Sequence, residues 1–320
     1  MRGVVRHNAG VRVVSTSSLP IDLARQIRAR FPEATVDVPA GWIGVDRCEL
    51  GDADALVCLL LDRIDAAVLA RAPRLRAIAT CAVGYDNVDV AAATARGIAV
   101  ANTPDVLTEA TAELAFALLL AAARRLPEGE ALVRSGAWPG WRLDQLLGVE
   151  LAGKTLGIVG FGRIGRAMAR RAEAFGMTVI HSDPHRGGIA LDALFAQADV
   201  VSLHCPLTPE TRGLVDARRL ALMKPTGIVV NTARGACVDD GALADALVAG
   251  RLFAAALDVF TGEPALDPRL LAAPRLVLAP HIGSATTETR TRMAQLCADA
   301  VIAVLSGARP ANQVNEVPRG

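Results

Sequence analysis

Residues 155–183 read TLGIVGFGRIGRAMARRAEAFGMTVIHSD, an apolar run followed by three spaced glycines and a closing aspartate. The glycines at 160, 162 and 165 have the spacing Gly-x-Gly-x-x-Gly. Between a strand and a helix, Gly160 would permit a tight turn, Gly162 would let the backbone approach a pyrophosphate, and Gly165 would allow close helix–strand packing. The pattern alone is weak evidence, so its surroundings must decide whether this stretch binds a dinucleotide.

The aspartate at the end of the stretch bears on which dinucleotide would bind. Asp183 follows Gly165 by 18 positions, close to the roughly 20 positions expected of an acid that binds the adenosine ribose hydroxyls. Its charge would repel a 2′-phosphate, which predicts NAD rather than NADP. Two alternatives stay open: an ordinary Asp-Pro turn, and tolerance of NADP through the flexible Arg186.

Composition excludes several classes of protein. A chain of 320 residues with a net charge of +1 suits two domains and argues against nucleic acid as the main partner. The longest apolar run, residues 114–123, is too short for a membrane span of about 20 residues, and the N-terminus lacks the apolar core of a signal peptide. The six cysteines show no metal-ligand spacing, which predicts buried free thiols, no metal site and a cytoplasmic location.

Strand and helix signals alternate in two blocks, which predicts an α/β fold with two doubly wound, mostly parallel sheets. In the first block the apolar runs are residues 11–14, 55–61, 77–80 and 98–101; in the second they are TLGIV, TVIHS, VVSLH, GIVVN, AAALDV and LVLAP. Between the blocks we expect a helix capped by Thr103 that runs to about Arg125, then an irregular arm. A last helix, residues 287–305, is expected to return to the first domain.

Ligands of open parallel sheets bind beyond the carboxyl ends of the strands, and three suitable side chains follow successive strands of the second block. Arg234 would clamp a carboxylate and polarise a carbonyl group. His281 would deliver a proton, and an ionised Glu263 beside it would favour the imidazolium form. His204, also at a strand end, is the main competitor for the role of proton donor.

Seven motifs together resemble the D-isomer-specific 2-hydroxyacid dehydrogenase family, and within it the glyoxylate/hydroxypyruvate reductases. They are VGYDNVD (83–89), NTPDVLTEATAE (102–113), GIVGFGRIG (157–165), HCPLTPETRGLV (204–215), NTARGACVDDGAL (231–243), ALDVFTGEP (256–264) and PHIGSAT (280–286). The resemblance implies a Rossmann NAD-binding domain, residues 102–286 with a dimerisation arm at 126–150. This domain would be inserted in a flavodoxin-like substrate domain made of residues 1–101 and 287–320.

The same resemblance implies site residues and a homodimer. The backbone of Val83 and Gly84 would bind the substrate carboxylate beside Arg234, and Trp141 would line the partner's active site unless it is an ordinary aromatic of the arm. The implied cofactor contacts are Gly160, Gly162, Arg163, Ile164, Gly165, Asp183, Cys205, Pro206, Thr232, Ala233, Asp258, Gly283 and Ser284.

The predicted activity is NAD(H)-dependent reduction of a small 2-keto acid, glyoxylate or hydroxypyruvate, with His281 as the acid/base. One alternative is a different acid, such as 2-ketogluconate. Another is an NAD-sensing binding protein of the corepressor type, which would turn over slowly or not at all.

Overall fold

Two units of alternating strands and helices make up residues 10–317, the part of the chain that the computed structural model describes. The first unit extends to Leu107 and resumes at Ala285, and the second covers Thr108–Ser284. The boundaries predicted from sequence, at 101/102 and 286/287, lie near these positions. Most of the stretch inspected for a signal peptide, and both ends of the predicted substrate domain, lie outside the described residues.

The first unit contains a five-stranded parallel sheet in the order β2-β1-β3-β4-β5, which is the flavodoxin-like order. Aspartates cap its three early helices by accepting backbone N–H groups of the first turn, as Asp22 does from Arg25. The elements are β1 (Arg12–Ser15), α1 (Leu23–Arg30), β2 (Thr35–Asp37), β3 (Ala55–Cys58), α2 (Ala66–Ala70), β4 (Ala77–Thr80), α3 (Val90–Ala95) and β5 (Ala99–Ala101), with a short 3-10 turn at Val45–Arg47.

The second unit contains a seven-stranded sheet in the order β12-β11-β10-β9-β6-β7-β8, parallel except for the β7–β8 pair. Its elements are α4 (Thr108–Ala123), α5 (Leu126–Arg134), β6 (Thr155–Val159), α6 (Arg163–Ala174), β7 (Thr178–Asp183), β8 (Gly187–Gly188), α7 (Leu191–Gln197), β9 (Val200–Leu203), α8 (Ala217–Leu220), β10 (Ile228–Asn231), a 3-10 turn Gly235–Cys237, α9 (Asp240–Val248), β11 (Ala254–Leu257), α10 (Pro268–Ala272) and β12 (Leu276–Leu278).

The last helix, α11 (Thr287–Leu305), belongs to the first unit. Its apolar face, including Cys297 and Val301, packs with Val13 and Ala79 of the first sheet in one buried cluster. The fold class predicted from the sequence is therefore confirmed, with helices covering two mostly parallel sheets.

Two predictions about the segment between the sheets are wrong. Helix α4 begins at Thr108 rather than after Thr103, because Asp105 has a left-handed φ of 71° and the Thr103 N–H donates to the Ala82 carbonyl instead of starting a helix. The arm is not irregular throughout, since its first nine residues form α5. A left-handed residue, Arg125 with φ 52°, separates this helix from α4.

The sheet order of the second unit places a topological switch point between β6 and β9, where chain connections leave in opposite directions. Ligands of doubly wound sheets bind in the crevice at such a point. The glycine stretch follows β6 and His204 follows β9, so both lie at this edge. Among the described helices none is long and apolar enough to cross a membrane.

Candidate active site

The three positions after β6 are occupied by glycine for different structural reasons. Gly160 has φ 88°, and a Cβ there would lie 2.7 Å from the Cys205 nitrogen; a Cβ at Gly165 would lie 2.3 Å from the Gly160 carbonyl oxygen. Gly162 has an ordinary φ of −70° and open space where a Cβ would be. Neither the backbone nor packing within the chain requires glycine at 162, whereas the close approach of a bound phosphate would.

Two further observations fit a dinucleotide at this edge. Helix α6 begins at Arg163, and no side chain caps its first turn, so its leading N–H groups, Ile164 among them, are available to an anion. Thr232 directly follows β10, and its buried hydroxyl oxygen has no hydrogen-bond partner among the described residues. A buried hydroxyl of this kind usually has a partner, and a bound cofactor would supply one.

Asp183, the predicted ribose-binding acid, already accepts three backbone hydrogen bonds. Its Oδ2 accepts the Phe161 N–H at 2.7 Å, and Oδ1 accepts those of His185 and Arg186 at 2.8 and 3.0 Å. Burial raises the pKa of the Asp183 carboxyl, but these bonds outweigh burial and hold that pKa below its usual range. The side chain therefore also closes the β7–β8 turn, a structural role that the sequence pattern did not reveal.

Glu263 and His281 meet directly beyond the ends of β11 and β12. The Nδ1 atom of His281 lies 2.8 Å from Oε2 of Glu263, and Oε1 accepts the Phe260 N–H at 2.8 Å. Burial raises the pKa of Glu263, but the hydrogen bonds from His281 and the Phe260 N–H outweigh it. Together with the nearby charges of His281 and Arg234, they leave that pKa below its usual range. Glu263 is thus ionised at neutral pH, and Nε2 of His281 is the nitrogen left to exchange a proton.

The segment that carries His281 is held by Asp258. This carboxylate is only 1% exposed and accepts the N–H groups of Ile282 and Gly283 at 2.7 and 2.8 Å. Its backbone carbonyl accepts the His281 N–H at 2.9 Å. The contacts stabilise His281 in a left-handed conformation, φ 53°, which is unfavourable for a non-glycine residue. Burial raises the pKa of Asp258 despite these bonds.

Arg234 follows β10 in a loop that a fully buried asparagine positions. Asn231 donates from Nδ2 to the Arg234 carbonyl at 2.9 Å and accepts the Ala233 N–H at 2.9 Å. The Arg234 guanidinium bonds to the Ala233 carbonyl at 2.8 Å, and its charge acts on Glu263. The sequence pattern does not single out Asn231, because a hydrogen bond to the backbone leaves no mark in residue spacing.

His204 does not fit the role of proton donor. Burial lowers the pKa of its imidazole to about 4, so the ring is neutral near pH 7. Its Nε2 lies 2.9 Å from the Ser202 hydroxyl oxygen. The following residues, Cys205 and Pro206, border the glycine turn, and the Cys205 backbone is the neighbour that excludes a side chain at Gly160.

The remaining predicted residues lie in three other parts of the chain. Val83 and Gly84 follow β4 in the first unit, where Asn102 donates from Nδ2 to the Val83 carbonyl at 2.7 Å. Trp141 lies on the arm and is 80% exposed. Ser284 closes the second unit. Within residues 10–317, no group of His, Cys, Asp and Glu side chains could hold a metal ion, and the six thiols are free.

The second unit therefore combines a glycine turn of the dinucleotide-binding type with an arginine and a carboxylate–histidine pair. The profile of the family described as D-isomer specific 2-hydroxyacid dehydrogenase, NAD binding domain, matches residues 116–283. Glyoxylate reductase of Thermococcus litoralis is 50% identical over 320 residues, covering 95% of this chain and 97% of its own. The chain therefore belongs to the D-isomer-specific 2-hydroxyacid dehydrogenases.

Solved structures agree with this assignment. A protein from Thermus thermophilus matches with a TM-score of 0.88 and 47% identity, covering 95% of this chain and all of its own. An NADPH-dependent glyoxylate/hydroxypyruvate reductase of Sinorhizobium meliloti matches with a TM-score of 0.83 and 33% identity, covering 97% of this chain and 98% of its own. The protein is an oxidoreductase that acts on the CH–OH group of hydroxy acids and has a nicotinamide-cofactor domain.

The open space at Gly162 gives a test of the cofactor site. Gly162→Ala should keep the melting temperature of the wild type, because the added methyl meets no atom of the chain. If a phosphate of the cofactor approaches the backbone there, the methyl group should clash with it and weaken NADH binding by about tenfold or more. Calorimetric titration with NADH measures the effect.

Gly165→Ala is the matched control, since its methyl would meet the Gly160 carbonyl oxygen at 2.3 Å. That variant should lose thermal stability. Unchanged NADH affinity in Gly162→Ala would mean that the pyrophosphate lies elsewhere.

Proposed function

We propose that the protein reduces glyoxylate, and by the same chemistry hydroxypyruvate, with His281 as the proton donor. The observation that supports this most strongly is the 2.8 Å contact between His281 Nδ1 and the ionised Glu263, with Arg234 close enough to act on the same carboxylate. The relative from Thermococcus litoralis is a glyoxylate reductase at 50% identity over nearly the whole chain. Both point to the same small 2-keto acid substrates.

Each side chain has a separate task in this proposal. When bound, the nicotinamide cofactor supplies the hydride that reduces the keto carbon. Arg234 binds the substrate carboxylate through its planar guanidinium and polarises the neighbouring carbonyl. His281 gives the proton on Nε2 to the carbonyl oxygen as that oxygen gains charge. Glu263 lies 2.8 Å from Nδ1, so it fixes the orientation of the ring and places an ionised carboxylate beside it.

The role of His281 is tested by replacing it. The wild type should oxidise NADH in the presence of glyoxylate or hydroxypyruvate, and His281→Ala should lower kcat by about 10²- to 10⁴-fold, the usual contribution of a general acid. NADH affinity should change little, because the imidazole is not a phosphate or ribose ligand. Steady-state rates with glyoxylate, hydroxypyruvate and 2-ketogluconate, paired with NADH titrations, provide the measurement.

Glu263→Gln separates the two residues of the pair. Because the imidazole loses a charged hydrogen-bond partner, an interaction of about 1.5–3 kcal/mol, kcat for glyoxylate should fall by about tenfold or more while NADH affinity is kept. Glu173→Gln, on an exposed part of α6, is the control and should leave kcat unchanged. In His281→Ala, equal losses of turnover and of NADH affinity would argue against the acid role of His281. A wild type that turns over no keto acid would favour a binding protein.

We propose that Asp183 makes NAD the preferred cofactor. Its carboxylate is ionised, and a 2′-phosphate placed beside it would be repelled. The NADPH-dependent relative from Sinorhizobium meliloti shows that the family also includes NADP users, so the preference has to be measured for this chain. In this proposal the charge of Asp183 distinguishes NAD from NADP.

Replacing Asp183 should relax this preference. Asp183→Ser should raise the ratio of kcat/KM for NADPH to that for NADH by roughly tenfold or more, since a like-charge contact is removed. Asp183→Asn keeps an oxygen acceptor for the turn and also removes the charge, so the same change is expected with less loss of thermal stability. An unchanged ratio in both variants would refute the assignment.

We propose that a second copy of the chain covers the arm, residues 126–150. Six large apolar side chains there are exposed: Leu126, Val133, Trp138, Trp141, Leu143 and Leu147. A group of this size usually marks an interface. The homodimer and the contact of Trp141 with a partner's active site are predictions of this proposal. The cytoplasmic location, predicted separately from the cysteines and the N-terminus, stays a prediction.

Sedimentation tests the dimer. Leu143→Asp, at a side chain 82% exposed, should convert a dimer to a monomer because a charge in an apolar interface is unfavourable. Leu271→Asp introduces the same change at an exposed position outside the arm and should not alter the mass. A wild type that sediments as a monomer would contradict the proposal.

A further inference from the structure

One buried carboxylate outside the residues assigned above lies between the loops of Arg234 and Glu263. Asp240, the first residue of α9, is 8% exposed. Its Oδ2 accepts the Thr261 N–H at 3.2 Å, and its buried Oδ1 has no hydrogen-bond partner among the described residues. The helix does not need this carboxylate as a cap, because Asp239 already accepts the Ala242 N–H at 2.9 Å.

The same two loops touch through their backbones next to this carboxylate. A Cβ on Gly235, the residue after Arg234, would lie 1.9 Å from the Phe260 carbonyl carbon. The Phe260 N–H is the group that binds Oε1 of Glu263. The turn from Phe260 to Glu263 is therefore held at Phe260 by the Gly235 backbone and at Thr261 by Asp240.

The surroundings of Asp240 destabilise the ionised form of its carboxyl. Burial raises the pKa of its carboxyl, as do the negative charges of Asp267 and Asp239, while the bonds from Thr261 lower it less. The neighbouring cation, Arg269, lies against Gly241 and is bonded to Asp267 at 2.8 Å. An incompletely bonded buried carboxyl is destabilising, and residues that break this rule are found mainly at functional sites. Asp240 bonds the turn that carries Glu263.

We propose that Asp240 is a positioning residue for the proton donor: by holding Thr261, it fixes the turn in which Glu263 meets His281. Asp240 itself touches no reacting atom and acts through Glu263. This inference rests on the proposed roles of Glu263 and His281 and extends them to a residue of α9.

Asp240→Ala in the full-length protein should lower kcat for glyoxylate by about tenfold, the factor that corresponds to losing one ordinary hydrogen bond. NADH affinity should be kept, as in Glu263→Gln. Asp240→Asn retains an oxygen acceptor for the Thr261 N–H and should recover most of the rate.

Asp239→Ala is the matched control, because it removes the cap of the same helix without touching Thr261. It should lower the melting temperature and leave kcat for glyoxylate unchanged. In the double variant Asp240→Ala with Glu263→Gln, the effects on kcat should not add, since one residue acts through the other. Additive losses, or a lower melting temperature with wild-type kcat in Asp240→Ala, would show a merely structural role.

Nuclear magnetic resonance of the His281 ring nitrogens separates this proposal from the proposed function. If Asp240 positions the pair, the Nδ1 signal should change in Asp240→Ala and return in Asp240→Asn, whether or not glyoxylate is turned over. A wild type inactive with every keto acid would refute the function alone. An unchanged Nδ1 signal in Asp240→Ala would refute the positioning role alone.

Discussion

The active site depends on one buried interaction, the two hydrogen bonds that Asp258 accepts from the backbone at Ile282 and Gly283. Removing a carboxylate from water is unfavourable unless its oxygens are bonded, and here each oxygen has a backbone donor. The bonded segment can then retain the left-handed conformation of His281. That conformation places the imidazole against Glu263, so the geometry of the His281–Glu263 pair follows from a carboxylate one strand away.

The same device recurs around the site. Glu263 accepts a backbone N–H from Phe260, Asp183 accepts three in the β7–β8 turn, and Asn231 bonds both ways with the Arg234 loop. The parallel sheet brings these loops to one edge, and polar side chains bonded to the backbone then fix their conformations. Loops held in this way keep their side chains in fixed positions relative to the sheet.

The apolar runs predicted β6, β9, β10 and β11 well, because buried parallel strands have little polar content. Strands β2 and β8 were missed, since both are short and partly exposed. The start of α4 was misplaced because nothing in the residue pattern reveals the left-handed Asp105. Arg234, Glu263 and His281 could be proposed from their positions after strands. The bonds of Asn231, Asp258 and Asp240 to the backbone depend on geometry that residue spacing does not encode.

Helix α11 completes the first unit although the whole second unit separates it from β5 in the chain. During synthesis on the ribosome, domains usually fold from the N-terminus onward, but here the first sheet remains without α11 until nearly all of the chain has emerged. The second unit is contiguous, so we expect it to fold first. Closing the long connection then costs the chain little more entropy, since the connecting segment is already compact.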